Sequence, residues 1–193
     1  MTESRLYAPR KNAKVGLRPA TIDDFWLFEQ QAVDPRIAGE FNWSGYRDIA
    51  ALRRRFEEDG LIGPDGGCLV VVHSDEVVGS VVWVKVTYGI PAWWCWNIGI
   101  SLLPERRLSG LGTEAQEFLV SYLFATTAVE RVEAYTDNAN RVEQRALEKA
   151  GFMSEGLLRS VQFRDGRWRD VQMYSILREE YGKKSIDDQA RES

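Results

Sequence analysis

A chain of 193 residues with 44% hydrophobic residues has apolar material for one packed domain. Its 29 Asp and Glu outnumber 25 Lys and Arg, and the formal net charge of −4 argues against a general nucleic-acid surface. No apolar run reaches the roughly 20 residues of a membrane span, the N-terminus (MTESRLYAPRKNAK) is too polar for a signal peptide, and two cysteines are too few for a disulfide framework, so a cytoplasmic setting is expected.

In chain order, 1–13 is expected as an N-terminal arm, 14–181 as the folded domain and 182–193 as a flexible tail. Lys14 to Pro19 reads as a first strand. Thr21 is an N-cap followed by acids, and Phe25, Leu27 and Phe28 share a helical face that runs to about Ala32. Asp34-Pro35 reads as a break, and Arg36 to Tyr46 as a loop rich in glycine and aromatics. Asp48 to Asp59 is a second helix with Ile49, Leu52 and Phe56 on one side. A turn-rich stretch over 60–67 leads to two strands, Cys68 to His73 and Glu76 to Tyr88, joined by the hairpin turn Ser74-Asp75. Trp93 to Leu103 completes a three-strand meander. His73, the only histidine, ends a strand and reads as a surface residue; no metal site is expected.

Next comes PERRLSGLGTEA, with Arg107, Gly110 and Gly112 spaced Arg-x-x-Gly-x-Gly ahead of a helix read as Thr113 to Thr127. The first amides of a helix lack internal partners and the helix dipole favours negative charge there. Glycines let backbone approach a phosphate, and an arginine adds a positive fork. The stretch therefore reads as a pyrophosphate cradle. Gly110-x-Gly112-x-x-Ala115 also fits a dinucleotide fingerprint, with Asp137 as the ribose-binding acid. Against that stand the six residues between Leu103 and Gly110 and the hundred residues of hairpin-rich chain that come first. Arg131 to Thr136 is a strand, Asn138 to Ala150 a helix stopped by Gly151, and Phe152 to Phe163 with Trp168 to Leu177 a hairpin turning at Asp165-Gly166. The order implies an α/β fold with a mixed, mostly antiparallel central sheet.

Over roughly 14–181 the chain resembles the GNAT superfamily of acetyl-CoA-dependent N-acetyltransferases, and most closely its RimJ/RimL-like branch of ribosomal-protein N-terminal acetyltransferases. Asn97 to Glu105 with Arg107-x-x-Gly110-x-Gly112-Thr-Glu-Ala115 is similar to the coenzyme A motif. Thr136-Asp137-x-x-Asn140 with Leu147 to Phe152 is similar to the next motif, and Glu155-Gly-Leu-Leu-Arg159 with Asp165, Gly166, Asp170, Tyr174 and Arg178 to the C-terminal hairpin. The resemblance implies helices on both faces of the sheet and a cleft between two splayed parallel strands, ending near Leu103 and Thr136. It implies that Leu108, Ser109, Gly110, Leu111, Gly112 and Thr113, with Arg107, cradle the pyrophosphate of acetyl-CoA. It further implies that Ile100 and Leu102 pair with the pantetheine arm, and that Asn140 holds that arm from the other side.

The sequence departs from the family at three places. Leu108 replaces a glycine, which implies a more constrained loop. Glu143 stands where a thiol-protonating serine is usual, and Gln162 where a glutamate base is usual; an amide is no base. Glu143 shares a helix face with Asn140 and Leu147 and is the candidate catalytic residue. The helix N-terminus should oppose a rise in its pKa, which favours a positioning or water-mediated role over direct acid catalysis. The acceptor wall is expected from Glu40, Trp43, Tyr46, Trp94, Asn97 and Gln162. An α-amine, partly neutral near pH 7, suits a site without a strong base better than lysine does. The expected activity is acetyl transfer to the α-amine of a peptide or protein N-terminus by a monomer or homodimer. Transfer to a small-molecule amine and a non-catalytic acyl-CoA-binding module are the alternatives.

Overall fold

The computed structural model describes residues 14–182, so the arm over 1–13 and the tail from 183 lie outside the described residues. Strands β1 (Val15–Pro19), β2 (Ile62–Gly63), β3 (Gly66–His73), β4 (Glu76–Thr87), β5 (Trp94–Leu102), β6 (Arg131–Asp137), β7 (Met153–Arg164) and β8 (Arg167–Leu177) form one sheet. Its order is β1-β3-β4-β5-β6-β8-β7, with β2 hydrogen-bonded to β3. Among the described residues the one parallel pair is β5–β6; every other pair is antiparallel. A doubly wound dinucleotide fold is thereby excluded, and Asp137 is engaged elsewhere, in a buried ion pair with Arg164.

Both tight hairpins follow from their turn residues. Ser74-Asp75 and Asp165-Gly166 all have positive φ, which matches the twist of the strands they join. Helix α4 (Leu111–Thr126) crosses one face and fully buries Phe118, Leu119 and Leu123. Each such side chain is worth about 1.5–3 kcal/mol. Helix α5 (Arg141–Ala150) packs beside it through Leu147 and Ala150, and Gly151 at φ 99° closes its C-terminus. Helix α1 (Phe25–Val33) covers the other face near β3, where Phe25, Leu27 and Phe28 bury Val70 and Leu61. Helix α3 (Ile49–Asp59) lies over α1 with Leu52 and Phe56 half-buried. Both faces thus carry helices, but among the described residues the second leaves Val82 and Val84 of β4 exposed.

The expected loop over 36–46 is shorter than read. Pro35–Ala38 forms a one-turn helix, α2, because Asp34 caps it by accepting from the Arg36 amide at 2.8 Å and Pro35 occupies the first turn. Asp-Pro acts here as a start signal, since proline lacks an N–H that would be unpaired there anyway. Helix α4 begins two residues earlier than expected, with Gly110 as its N-cap in the left-handed region. Helix α5 begins three residues later, because Asn140, not Asn138, caps it: its side-chain oxygen accepts from the Glu143 amide at 3.2 Å.

Candidate active site

Strands β5 and β6 pair only from Trp96–Val132 to Ile98–Ala134 and then part. A cavity of about 140 Å³ passes through the sheet at this gap. Gln116, Glu143 and Leu147 line it from the α4/α5 side, and Tyr135, Asp137, Gln162 and Val171 from the other. It shares Phe41, Asn42, Ile100, Asn140 and Glu143 with a cleft of about 640 Å³ that runs out along Leu102, the Arg107–Thr113 loop and α5. Ile100, Leu102, Arg107, Leu108, Gly110, Gly112, Thr113, Asn140 and Glu143 are therefore brought onto one cleft.

The loop is shaped for an anion by its backbone. Gly110 has φ 85° and open space around the position of a Cβ. The opening amides of α4, at Leu111, Gly112 and Thr113, have no partner within the helix. The Leu111 side chain is core, while Ser109 is exposed and donates its hydroxyl to the Arg106 carbonyl at 2.6 Å. Leu108 sits at φ 61° with its side chain 83% exposed. The chain thus keeps the glycine-type turn with a leucine in it, at a cost of about 1–2 kcal/mol.

Arg107 is committed elsewhere. Its Nε donates to the Leu102 carbonyl at 3.0 Å, and its Nη atoms donate to Arg36 and Ile37 carbonyls at 3.3 and 2.6 Å. Burial holds the guanidinium below its ordinary pKa. The side chain therefore straps α2 to the end of β5. Positive charge on the cleft comes also from Arg145 and Lys149 on α5. Their four-residue spacing was legible as one helix stripe, but only the fold shows that it faces the cleft. Asn42 carries no signal in the sequence, yet its side-chain amide donates to the Ile100 carbonyl at 3.2 Å, the edge group expected to meet the pantetheine arm.

Glu143 accepts a hydrogen bond from the Gln116 side-chain amide at the junction of the two cavities. Burial raises its pKa, and the Gln116 contact only partly offsets this. Desolvation thus outweighs the stabilisation expected from the helix N-terminus, and the carboxyl holds a proton more readily than the sequence alone suggests.

A family model described as the acetyltransferase (GNAT) domain matches residues 14–153. The chain belongs to the GNAT acetyltransferases. It is 26% identical over 172 residues to the uncharacterized N-acetyltransferase p20 of Bacillus licheniformis, covering 87% of this chain and 95% of that protein. Its fold resembles a spermidine N-acetyltransferase from Vibrio cholerae solved with CoA and spermine, with a TM-score of 0.76, 19% identity, and coverage of 88% of this chain and 99% of that one. It also resembles Mycobacterium smegmatis RimJ in complex with CoA-disulfide, with a TM-score of 0.70, 24% identity, and coverage of 86% and 83%. A third likeness is to RimL, a ribosomal L7/L12 alpha-N-protein acetyltransferase in complex with coenzyme A, with a TM-score of 0.73, 13% identity, and coverage of 90% and 98%. At these identities the solved structures show the fold alone.

The remaining candidates of the acetyltransferase are dispersed. Glu40 lines the large cleft and Gln162 the small cavity. Trp43 and Tyr46 pack edge to face at 5.5 Å and line neither cavity; Tyr46 is 83% exposed. Trp94 leans on the buried Trp96 at 5.0 Å and on Lys85, so it serves packing, as aromatic strand residues often do. Asn97 lies on the face away from α4 with its side-chain nitrogen buried and, among the described residues, without a partner. His73 sits at the strand end, its Nδ1 2.7 Å from the Lys14 carbonyl oxygen. Burial pushes both free thiols, Cys68 and Cys95, up to about 12, so neither serves as a thiolate nucleophile.

Proposed function

We propose that this enzyme transfers the acetyl group of acetyl-CoA to the α-amine of a peptide or protein N-terminus. The observation that carries the reading is the open acceptor side of the sheet. Where the 140 Å³ cavity emerges opposite α4, the neighbouring strand face exposes Val82, Val84, Tyr88 and Tyr135, and among the described residues no aromatic pocket closes over it. An open apolar strand face suits an extended peptide better than an enclosed small amine. RimL, a ribosomal L7/L12 alpha-N-protein acetyltransferase of similar fold, supports this reading, and with it we propose the RimJ/RimL-like branch and a cytoplasmic substrate.

The loop amides ahead of α4, with Arg145 and Lys149, hold the phosphates of the coenzyme. The thioester reaches the gap between β5 and β6. The amine nitrogen attacks its carbonyl carbon, a C–N bond forms, the nitrogen gives up a proton, the C–S bond breaks and the thiolate takes up a proton. Glu143, whose burial favours the protonated form, lies on the coenzyme side of the gap and serves as that acid or positions the water that does. An α-amine, with a reference pKa near 7.7–8.0 against about 10.4 for lysine, reaches the gap partly neutral at pH 7.

Mass spectrometry after incubation with acetyl-CoA tests the acceptor. Peptides with a free α-amine, the same peptides N-terminally blocked but carrying lysine, and spermine are offered together. Acetylation confined to free α-amines is the expected result. Lysine modification at a comparable rate, or preferred turnover of spermine, overturns the α-amine reading.

A further inference from the structure

Glu133 is fully buried, and none of the chemistry above uses it. It lies on β6, on the sheet face opposite α4 and α5, one strand from the unpartnered Asn97 nitrogen. Two tyrosine hydroxyls converge on its carboxylate. Tyr135 donates to Oε1 at 2.6 Å, and Tyr88, just beyond β4, donates to Oε2. Arg131 Nε is 3.3 Å from Oε2, but the same guanidinium also donates to Glu155 on β7 at 2.6 Å. Ser175 of β8, paired in register with Glu133, donates its hydroxyl to Glu155 at 2.6 Å. Cys95 of β5 completes the surroundings. The cluster thus holds two carboxylates and one guanidinium.

Taking a carboxylate fully out of water costs several kcal/mol unless it is well paired, and here its one cation is shared. A purely structural device would be served as well by apolar residues. What sets this cluster apart is its outlet: Tyr135 also lines the cavity through which the acetyl-transfer gap opens on the acceptor side. Gln162, at the position where the family resemblance puts a glutamate base, lines the same cavity and cannot take a proton.

We propose that Tyr135 and Glu133 form the proton relay that deprotonates the incoming amine, with Tyr135 touching the amine and Glu133 the terminal acceptor. The proposal rests on the acetyl-transfer reading above. The acceptor arrives as an ammonium ion. One N–H proton passes to the Tyr135 oxygen while the Tyr135 hydroxyl proton passes to the Glu133 carboxylate, leaving neutral amine, neutral phenol and a protonated Glu133. The amine then attacks the thioester carbon. As the C–S bond breaks, the second N–H proton balances the departing thiolate by way of Glu143 or water, and Glu133, itself buried, returns its proton to the Tyr135 oxygen while the half-exposed Tyr135 hydroxyl gives one to solvent. Burial and the adjacent Glu133 carboxylate hold the Tyr135 phenol above its ordinary pKa, so it passes a proton on rather than storing a charge. Tyr135 is the catalytic member and Glu133 the positioning and accepting one.

The test compares the parent with Tyr135→Phe, Glu133→Gln and the double variant. The probes are acetyl-CoA with Ala-, Ser- and Met-initiated tripeptides and, separately, spermine, and thiol release is followed from pH 6 to 10. Each single variant should lose about 10²-fold in kcat at pH 7, within the range for a lost general base. The double variant should lose little more, because the two groups act as a unit. The deficits should narrow above the α-amine pKa, where the acceptor arrives neutral. Calorimetric affinity for coenzyme A should stay at the parental value and certify the fold. Parental kcat in Tyr135→Phe overturns the relay, as does a deficit that is equal at every pH. If the parent acetylates spermine but none of the peptides, the α-amine reading falls and the relay is judged by the same criteria on spermine. No turnover of either probe overturns both.

Discussion

Replacing Arg107 by lysine separates two roles for a motif arginine. A pyrophosphate ligand would survive the change in large part, since lysine also supplies a point charge to phosphate. A strap would not, because one ammonium cannot reach the Leu102, Arg36 and Ile37 carbonyls at once. Hydrogen bonds from charged donors are worth about 1.5–3 kcal/mol each. Lysine keeps one of the three and the Arg36 contact is exposed, so the loss sums to about 2–3 kcal/mol at the lower end of that range. For a chain of this length each kcal/mol moves Tm by about 2–4 °C, so the ligand-free protein should melt about 5–10 °C lower. Scanning calorimetry without coenzyme A measures this. Gly39→Ala supplies an independent check: at φ 91° the added Cβ would be strained and would stand 3.3 Å from Arg107 Nη2, pressing on the same strap. A parental Tm in Arg107→Lys, with loss confined to coenzyme A affinity, would refute the strap and restore the arginine to the phosphate.

Gly110→Val should weaken coenzyme A binding by roughly tenfold or more, because a β-branched residue disfavours φ 85° and fills the open cradle; titration calorimetry reads it directly. Leu108→Gly should raise Tm by about 1–3 °C, since relief of the left-handed strain exceeds the entropy glycine adds to the unfolded chain and the exposed leucine packs little. Glu143→Gln should lower kcat by about 10²-fold with coenzyme A affinity unchanged. The same variant tests linkage. The folded pKa of Glu143 is raised, so its stability contribution is full below the unfolded value and is lost as pH rises through the folded one. Glutamine mimics the protonated form, so its Tm should match the parent at pH 4 and exceed it at pH 8; a constant difference would show that Glu143 titrates like an exposed carboxylate.

Local rules made much of the chain readable. Asp48, Ser74-Asp75, Asp165-Gly166 and Gly151 act through their own neighbours, so caps and turns lie close to where the residue types put them. The glycine spacing before α4 likewise marks the left-handed turn into the helix, because backbone geometry there depends on a few consecutive residues. Asp34-Pro35 was legible in principle, as a cap followed by an N1 proline, yet reads as a break when proline is taken only as a helix stop. Side-chain allegiance is a different matter. Arg107 carries the spacing of a phosphate ligand, and only the return of α2 to the end of β5 supplies the carbonyls that claim it. Glu143 looks like a solvated helix acid until α4 brings Gln116 over it and removes water. Glu133 stands in an ordinary alternating strand, RVEAYT; pairing of β6 with β5 on one side and β8 on the other encloses it, and Tyr88 arrives from 45 residues away. Backbone geometry is set by short-range sterics and hydrogen bonds written in adjacent residues, whereas proton affinity and ligand access are set by what distant strands and helices exclude, and those are decided only when the sheet closes around them.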